Sequence, residues 1–126
     1  MCQTRFYICR TCGNIVGLIH GTGVPIKCCG SVMEQLEPTT ANEGGEKHSP
    51  AVNVNGDRVS VQVGSTAHPM ENDHSINWVY MQTDRGGQRK CLCPGDKPEV
   101  EFCLCNEKPV AVYAYCDKHG LWKTVL

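Results

Sequence analysis

Two cysteine pairs in the first 37 residues constrain this chain more than any other feature: "CRTC" (Cys9, Cys12) and "CC" (Cys28, Cys29). A segment that short cannot bury enough apolar surface to fold on a core alone, so a cross-link or a metal must hold it. The N-terminal stretch "MCQTRFYICR" lacks the apolar run of a secretory signal. That points to a reducing cytosol, where clustered cysteines read first as ligands or catalytic thiols. Four soft thiolates set tetrahedrally suit zinc or iron, and the ligands alone do not choose between them. The first pair has the usual knuckle form, with Gly13 letting the chain turn. Cys28 and Cys29 are adjacent with no spacer, which predicts a distorted site.

The chain as a whole is balanced in charge, with 12 Lys and Arg against 13 Asp and Glu. A net charge of −1 gives no reason to expect nucleic acid or an anionic membrane as partner. No apolar run approaches the roughly 18 residues of a membrane span. Within the first module, "NIVGLI" and "VPIK" read as two short strands around the "HGTG" turn. "PTTANEGGE" (38–46) is nearly free of apolar residues and reads as a linker.

From residue 51 the apolar period becomes two. Val52 and Val54, then Val59, Val61 and Val63, flank Asn55-Gly56, which predicts a hairpin with a type I′ turn. "SINWVYMQ" predicts a strand with Ile76, Trp78 and Tyr80 on one face. "QRKCLC", "EVEFCLC" and "VAVYAYC" continue the style. Six or seven short strands with turn signals between them predict a mainly β chain whose larger part is a β-sandwich.

Four histidines and one cysteine of this second part stand out. His48, His68, His74 and His119 lie at predicted strand ends or in loops, and Cys116 lies three residues before His119. None sits inside an apolar alternation, where it would be a core filler. Structural zinc closes its shell at four ligands. Four imidazoles and a thiolate make five, which suits iron with an open sixth position for a small ligand, its reactivity raised by the thiolate.

"YICRTCGNIV", "IKCCG", "EKHSP", "VGSTAHPM", "NDHSINW" and "YCDKHGLWK", in this order, resemble desulfoferrodoxin, the two-iron form of superoxide reductase. The resemblance implies a desulforedoxin-like, rubredoxin-type iron module over residues 1–37, with Cys9, Cys12, Cys28 and Cys29 as ligands. It implies an immunoglobulin-like β-sandwich over 48–126, with His48, His68, His74 and His119 equatorial and Cys116 axial on a second iron. Residues 38–47 become a linker and a lid over that site. The implied reaction is reduction of superoxide to hydrogen peroxide without release of oxygen, with rubredoxin or a similar reductant, in a cytoplasmic homodimer of an anaerobe or microaerophile. Lys47 resembles the lysine that attracts superoxide beside the open position. Glu46 resembles the glutamate that closes that position in the resting ferric state, and Gly44-Gly45 would let the loop move.

Two other functions make different demands. A copper electron carrier of cupredoxin type wants two histidines and a Met after the last ligand, and no Met follows His119. A structural zinc module needs neither an open site nor "EKH". Outside the resemblance lie Cys2 and two Cys-x-Cys pairs, Cys91/Cys93 and Cys103/Cys105. On strands each pair points to one face, opposite Leu92 and Leu104. If the two segments are neighbours, four thiols can face one another, although free thiols packing as small hydrophobes are the plainer reading. His20, in its turn, is expected to be solvated, and Met70 to pack on the core.

Overall fold

The computed structural model describes residues 3–40, 48–64 and 68–126. All twelve elements among them are strands, and the chain divides into two compact units, 1–37 and 38–126.

The first unit has β1 (Phe6–Ile8), β2 (Ile15–Gly17), β3 (Lys27–Cys28), β4 (Ser31–Val32) and β5 (Glu34–Gln35). They form a three-stranded sheet, β2-β1-β5, and a two-stranded one, β3-β4. The two apolar pieces expected to flank the "HGTG" turn do not pair with each other. β2 pairs with β1 across the first cysteine knuckle (Ile8 opposite Ile15), and β3 with β4 across the second (Cys28 opposite Ser31). The reversals that bring ligand pairs together are themselves hairpin turns, so each knuckle selects its own strand partners. Among its described residues, only Phe6, Ile8, Cys9, Met33 and Leu36 are buried and apolar.

The described residues of the second unit form seven strands: β6 (Pro50–Asn55), β7 (Arg58–Val63), β8 (Ile76–Thr83), β9 (Gly86–Cys91), β10 (Glu99–Cys103), β11 (Pro109–Cys116) and β12 (Gly120–Val125). Two sheets, β10-β7-β6 and β12-β11-β8-β9, enclose a core of Val59, Val61, Val63, Ile76, Val79, Met81, Phe102, Val112, Ala114 and Cys116. The expected mainly β chain with a sandwich is what the structure contains. Thr39, placed in the linker by its composition, is tied into this unit. Its N–H donates to the Leu121 carbonyl at 2.9 Å, and its own carbonyl accepts from Lys123 N–H at 2.9 Å.

Two local expectations shift. Asn55 pairs with Arg58, so the β6–β7 turn is centred on Gly56-Asp57 rather than Asn55-Gly56. Gly56 has φ +63° and Asp57 is not in the left-handed region, the pattern of a type II′ turn. Ile76 also parts from Trp78 and Tyr80. Trp78 pairs with Tyr115, but Ile76 pairs with Cys116, so Asn77 is an extra residue on β8. The bulge inverts the alternation. Ile76, Val79 and Met81 enter the core, while Trp78 stacks on Tyr115 and Tyr80 lies against Tyr113 on the other face.

Candidate metal centres

Two groups of metal-ligating side chains occur among the described residues. The first is Cys9, Cys12, Cys28 and Cys29. A strand would point adjacent side chains to opposite faces. Cys29 instead takes a left-handed conformation, φ +54°, followed by Gly30 at φ +75°. This costs an L-residue about 1–2 kcal/mol and brings the Cys29 sulfur to 3.9 Å from that of Cys28. Cys12 Sγ lies 3.6 Å from Cys28 Sγ. A tetrahedron with metal–sulfur bonds of about 2.3 Å has sulfurs about 3.8 Å apart, and the two distances straddle that value. The departure from regularity expected of adjacent ligands lies in the backbone at Cys29.

Three of the thiols are shifted, and not in the same direction. Backbone N–H donation from Cys12, above all, holds Cys9 down to about 6. Cys12, then Cys28 and Cys9, take up hydrogen bonds from Cys29 and push it up to about 12. Cys28 is raised too, first by Cys12. Four sulfurs this close cannot all ionise unless a cation sits among them.

The second group is His48, His68, His74, Cys116 and His119, whose ligand atoms lie within 4.8 Å of one another. Five elements meet at one end of the sandwich to make it. His48 precedes β6, His68 follows β7, His74 precedes β8, Cys116 ends β11, and His119 sits in the turn to β12. The imidazoles form a closed ring. Centroids are 4.8 Å apart for His48–His68, 4.8 Å for His68–His74, 4.9 Å for His74–His119 and 4.7 Å for His119–His48, each pair edge to face. His48 Nε2 is 3.0 Å from His119 Nδ1, and Cys116 Sγ is 3.7 Å from the same nitrogen. Cys116 is fully buried among core residues.

The nitrogens show what is wanted. His68 Nδ1 donates to the Pro69 carbonyl at 2.6 Å, leaving Nε2 as the acceptor. His68 Nε2 and His74 Nε2 are buried with no hydrogen-bond partner. Each such atom costs about 1–3 kcal/mol, and a metal ion between them would remove the cost. Burial pushes His68 below the usual histidine range. His119 is pushed the same way, by desolvation first and then by His48 and His74. Neutral imidazoles are the form that binds metal. Burial raises the Cys116 thiol, so its proton leaves in exchange for a cation. The donor sets of both groups thus fit metal.

With both clusters in place, likeness to known proteins becomes informative. The sequence profile of the desulfoferrodoxin family matches residues 40–125. The chain belongs to the desulfoferrodoxin family. A desulfoferrodoxin homolog of Archaeoglobus fulgidus is 44% identical over 95% of this chain and 95% of its own length. The desulfoferrodoxin of Nitratidesulfovibrio vulgaris is 42% identical over 96% and 95%. Among solved structures, the superoxide reductase from Treponema pallidum superposes with a TM-score of 0.83 at 32% identity, covering 96% of this chain and 97% of that one. The resemblance of the six sequence motifs was sound, and the two clusters match the two-iron arrangement of a desulfoferrodoxin.

The sequence did not reveal the supports around the ligands. Trp122 stacks on His48 (centroids 4.9 Å apart, planes 16° apart), and its indole N–H donates to the His119 carbonyl at 3.1 Å. Its place three residues after His119 was the available signal. Asp117 Oδ1 accepts from Ser75 N–H at 3.0 Å, and Asp117 N–H donates to Ser75 O at 3.2 Å, tying the residue after His74 to the residue after Cys116. Met70 packs on the core as expected, and its sulfur accepts Ile76 N–H at 3.3 Å. His20 is exposed. Glu46, Lys47 and Cys2 lie outside the described residues. Cys91, Cys93, Cys103 and Cys105 are all exposed, so they do not pack as small hydrophobes, and they join neither cluster. No helix among the described residues is long and apolar enough to cross a membrane.

Proposed function

We propose that this chain is a superoxide reductase, converting superoxide to hydrogen peroxide without releasing oxygen, and so protecting an anaerobe or microaerophile. The observation that carries the reading is the closed ring of four imidazoles with a buried thiol against it and two buried nitrogens unpaired. Five donors exceed what structural zinc uses, and the solved relative from Treponema pallidum bears the name superoxide reductase.

In this reading His48, His68, His74, His119 and Cys116 hold the catalytic iron. Cys9, Cys12, Cys28 and Cys29 hold the other iron, in a desulforedoxin-like module of residues 1–37. Residues 38–47 link and cover, and 48–126 form the catalytic sandwich. Iron held by these five residues would supply one electron to superoxide, and donation from the Cys116 thiolate would favour departure of the product. The chain's own residues do the rest. The His68 Nδ1–H bond to Pro69 and the Trp122 stack on His48 fix ring orientation, so the donors need not reorganise. Lys47 attracts the superoxide anion and donates to its reduced form, while water or a nearby donor brings the protons. Glu46 would close the site in the resting state. Rubredoxin or a similar carrier is the reductant, and the protein works as a cytoplasmic homodimer.

Metal analysis of the anaerobically reduced protein, followed by a superoxide pulse, tests this. The expected result is two irons per chain, rapid oxidation of one, and peroxide without oxygen. Zinc or copper at the histidine centre, or no reaction, overturns the reading. Lys47→Ala should slow the encounter and flatten its dependence on ionic strength. An unchanged rate and salt slope would remove Lys47 from its role.

A further inference from the structure

The two Cys-x-Cys pairs do not face each other. Leu92 and Leu104 pack against the core and the flanking cysteines are exposed, Cys91 at the end of β9 in one sheet and Cys103 at the end of β10 in the other. Leu92 N–H donates to the Asn77 carbonyl, next to Ile76, the partner of Cys116. Leu104 N–H donates to Asp57, in the β6–β7 turn at the opposite end of the sandwich. Cys91 and Cys93 therefore sit at the metal-centre end, across β8 from Cys116, about 10 Å away at the usual strand spacing.

Their surroundings also differ. Arg89 Nη1 donates to Cys91 Sγ at 2.8 Å, placing a cation on that sulfur. Cys103 lies opposite Arg58, whose guanidinium is engaged with Glu101 Oε1 at 3.1 Å. Cys93 begins a tight turn. Its N–H donates to Asp96 Oδ2 at 2.8 Å, and the following Gly95 N–H is pinned to the Met70 carbonyl at 2.8 Å. The backbone is held while both thiols face solvent.

We infer that Cys91 and Cys93 form a peroxide-reactive dithiol, a reversible oxidation site at the mouth end of the sandwich. The Cys91 sulfur attacks one peroxide oxygen. The O–O bond breaks, water leaves, and Cys91 becomes a sulfenic acid. The Cys93 sulfur then attacks the Cys91 sulfur, the S–O bond breaks, and a second water leaves. In sum, two thiols and one hydrogen peroxide give one disulfide and two waters. Residues two apart on an extended chain have Cα atoms about 6.6 Å apart, at the upper edge of the disulfide range. Such a bond is readily reduced again, as a switch requires and a structural cross-link does not. The inference rests on the proposed function only for the source of the peroxide.

The test needs no superoxide. Iron-loaded ferric protein, thiols reduced, receives one equivalent of hydrogen peroxide, then an alkylating agent, and its peptides are weighed. The expected result is a peptide containing residues 91–93 lighter by two hydrogens and closed to alkylation, restored by dithiothreitol, with Cys103 and Cys105 still alkylated. Cys93→Ser should stop at Cys91 and yield a dimedone adduct there. Arg89→Gln should slow the reaction several-fold, and Cys91→Ser should abolish it. The Cys91→Ser/Cys93→Ser double variant should keep the full superoxide rate. Equal oxidation of both pairs, disulfides between chains, or thiols untouched by peroxide each overturn the inference. Because peroxide is added directly, such failure is separate from a failure of the protein to react with superoxide.

Discussion

The two metal centres are built in opposite ways. The four-cysteine cluster draws its ligands from 21 consecutive residues, two hairpin turns and a unit with few buried apolar side chains. The histidine–cysteine cluster gathers ligands spread from residue 48 to residue 119 on a sandwich with its own ten-residue core. In the first the ligands make the fold; in the second the fold makes the ligand set.

Metal removal gives the largest break of that comparison. Chelation should unfold residues 1–37 while the sandwich persists, because binding energy on the order of 10 kcal/mol stands in for a core in small metal modules. Amide exchange resolved by segment checks this; loss of protection in β7, β8 and β11 together with β1 would contradict it. Reloading should release protons, since Cys29 at about 12 and the raised Cys28 hold theirs at neutral pH. Affinity should therefore climb with pH, and calorimetry in buffers of different ionisation enthalpy reads the proton count.

Phe102→Ala comes next. Phe102 is 1% exposed in the sandwich core, and its truncation should cost about 3–5 kcal/mol. Denaturant unfolding should show that loss in the second unit, while the visible absorbance of the tetrathiolate centre holds. Trp122→Phe is smaller. It keeps a ring against His48 but drops the bond to the His119 carbonyl, and metal affinity at that centre should fall by about 10- to 100-fold. The tetrathiolate centre should be unaffected in the same titration. Smallest is Glu34→Gln. Arg10 holds the Glu34 carboxyl below its usual range by hydrogen bonds and charge, across an exposed pair. Its contribution is full at neutral pH, fades as pH drops below the ordinary glutamate range, and is gone below the depressed native value. Wild type and variant should thus differ slightly at pH 7 and converge in acid, as thermal melts at several pH values would show.

The same contrast explains what the sequence made legible. Cys9, Cys12, Cys28 and Cys29 could be read from spacing because short loops bring them together. The five ligands of the other centre were legible by residue type, since histidines at strand ends are out of place in a core, and their order matched the family. Their closing into a ring was not, because it depends on sheet order. The misplaced details were one-residue effects. Gly56 carries the positive φ without Asn55, because Asn55 pairs with Arg58 and stays in the strand. Asn77 bulges and sends Ile76 inward beside Cys116. Period-two patterns identify strands well but are blind to a single inserted residue. The Trp122 stack left only its spacing from His119 as a signal, and the Asp117–Ser75 clamp left none, since contacts between ligand loops form no local pattern.

The ring of imidazoles has a mechanical side. His48 and His68 hang from the β10-β7-β6 sheet; His74, Cys116 and His119 hang from the other. One ion bound there would rivet the two layers together at a single rim, leaving the far rim, with the Gly56-Asp57 turn and Cys105, to side-chain packing, the 104–108 connection and the bond from Gln88 Nε2 to the Cys103 carbonyl. A loaded sandwich should then open like a book with a bound spine, its pages parting first at the edge farthest from the metal.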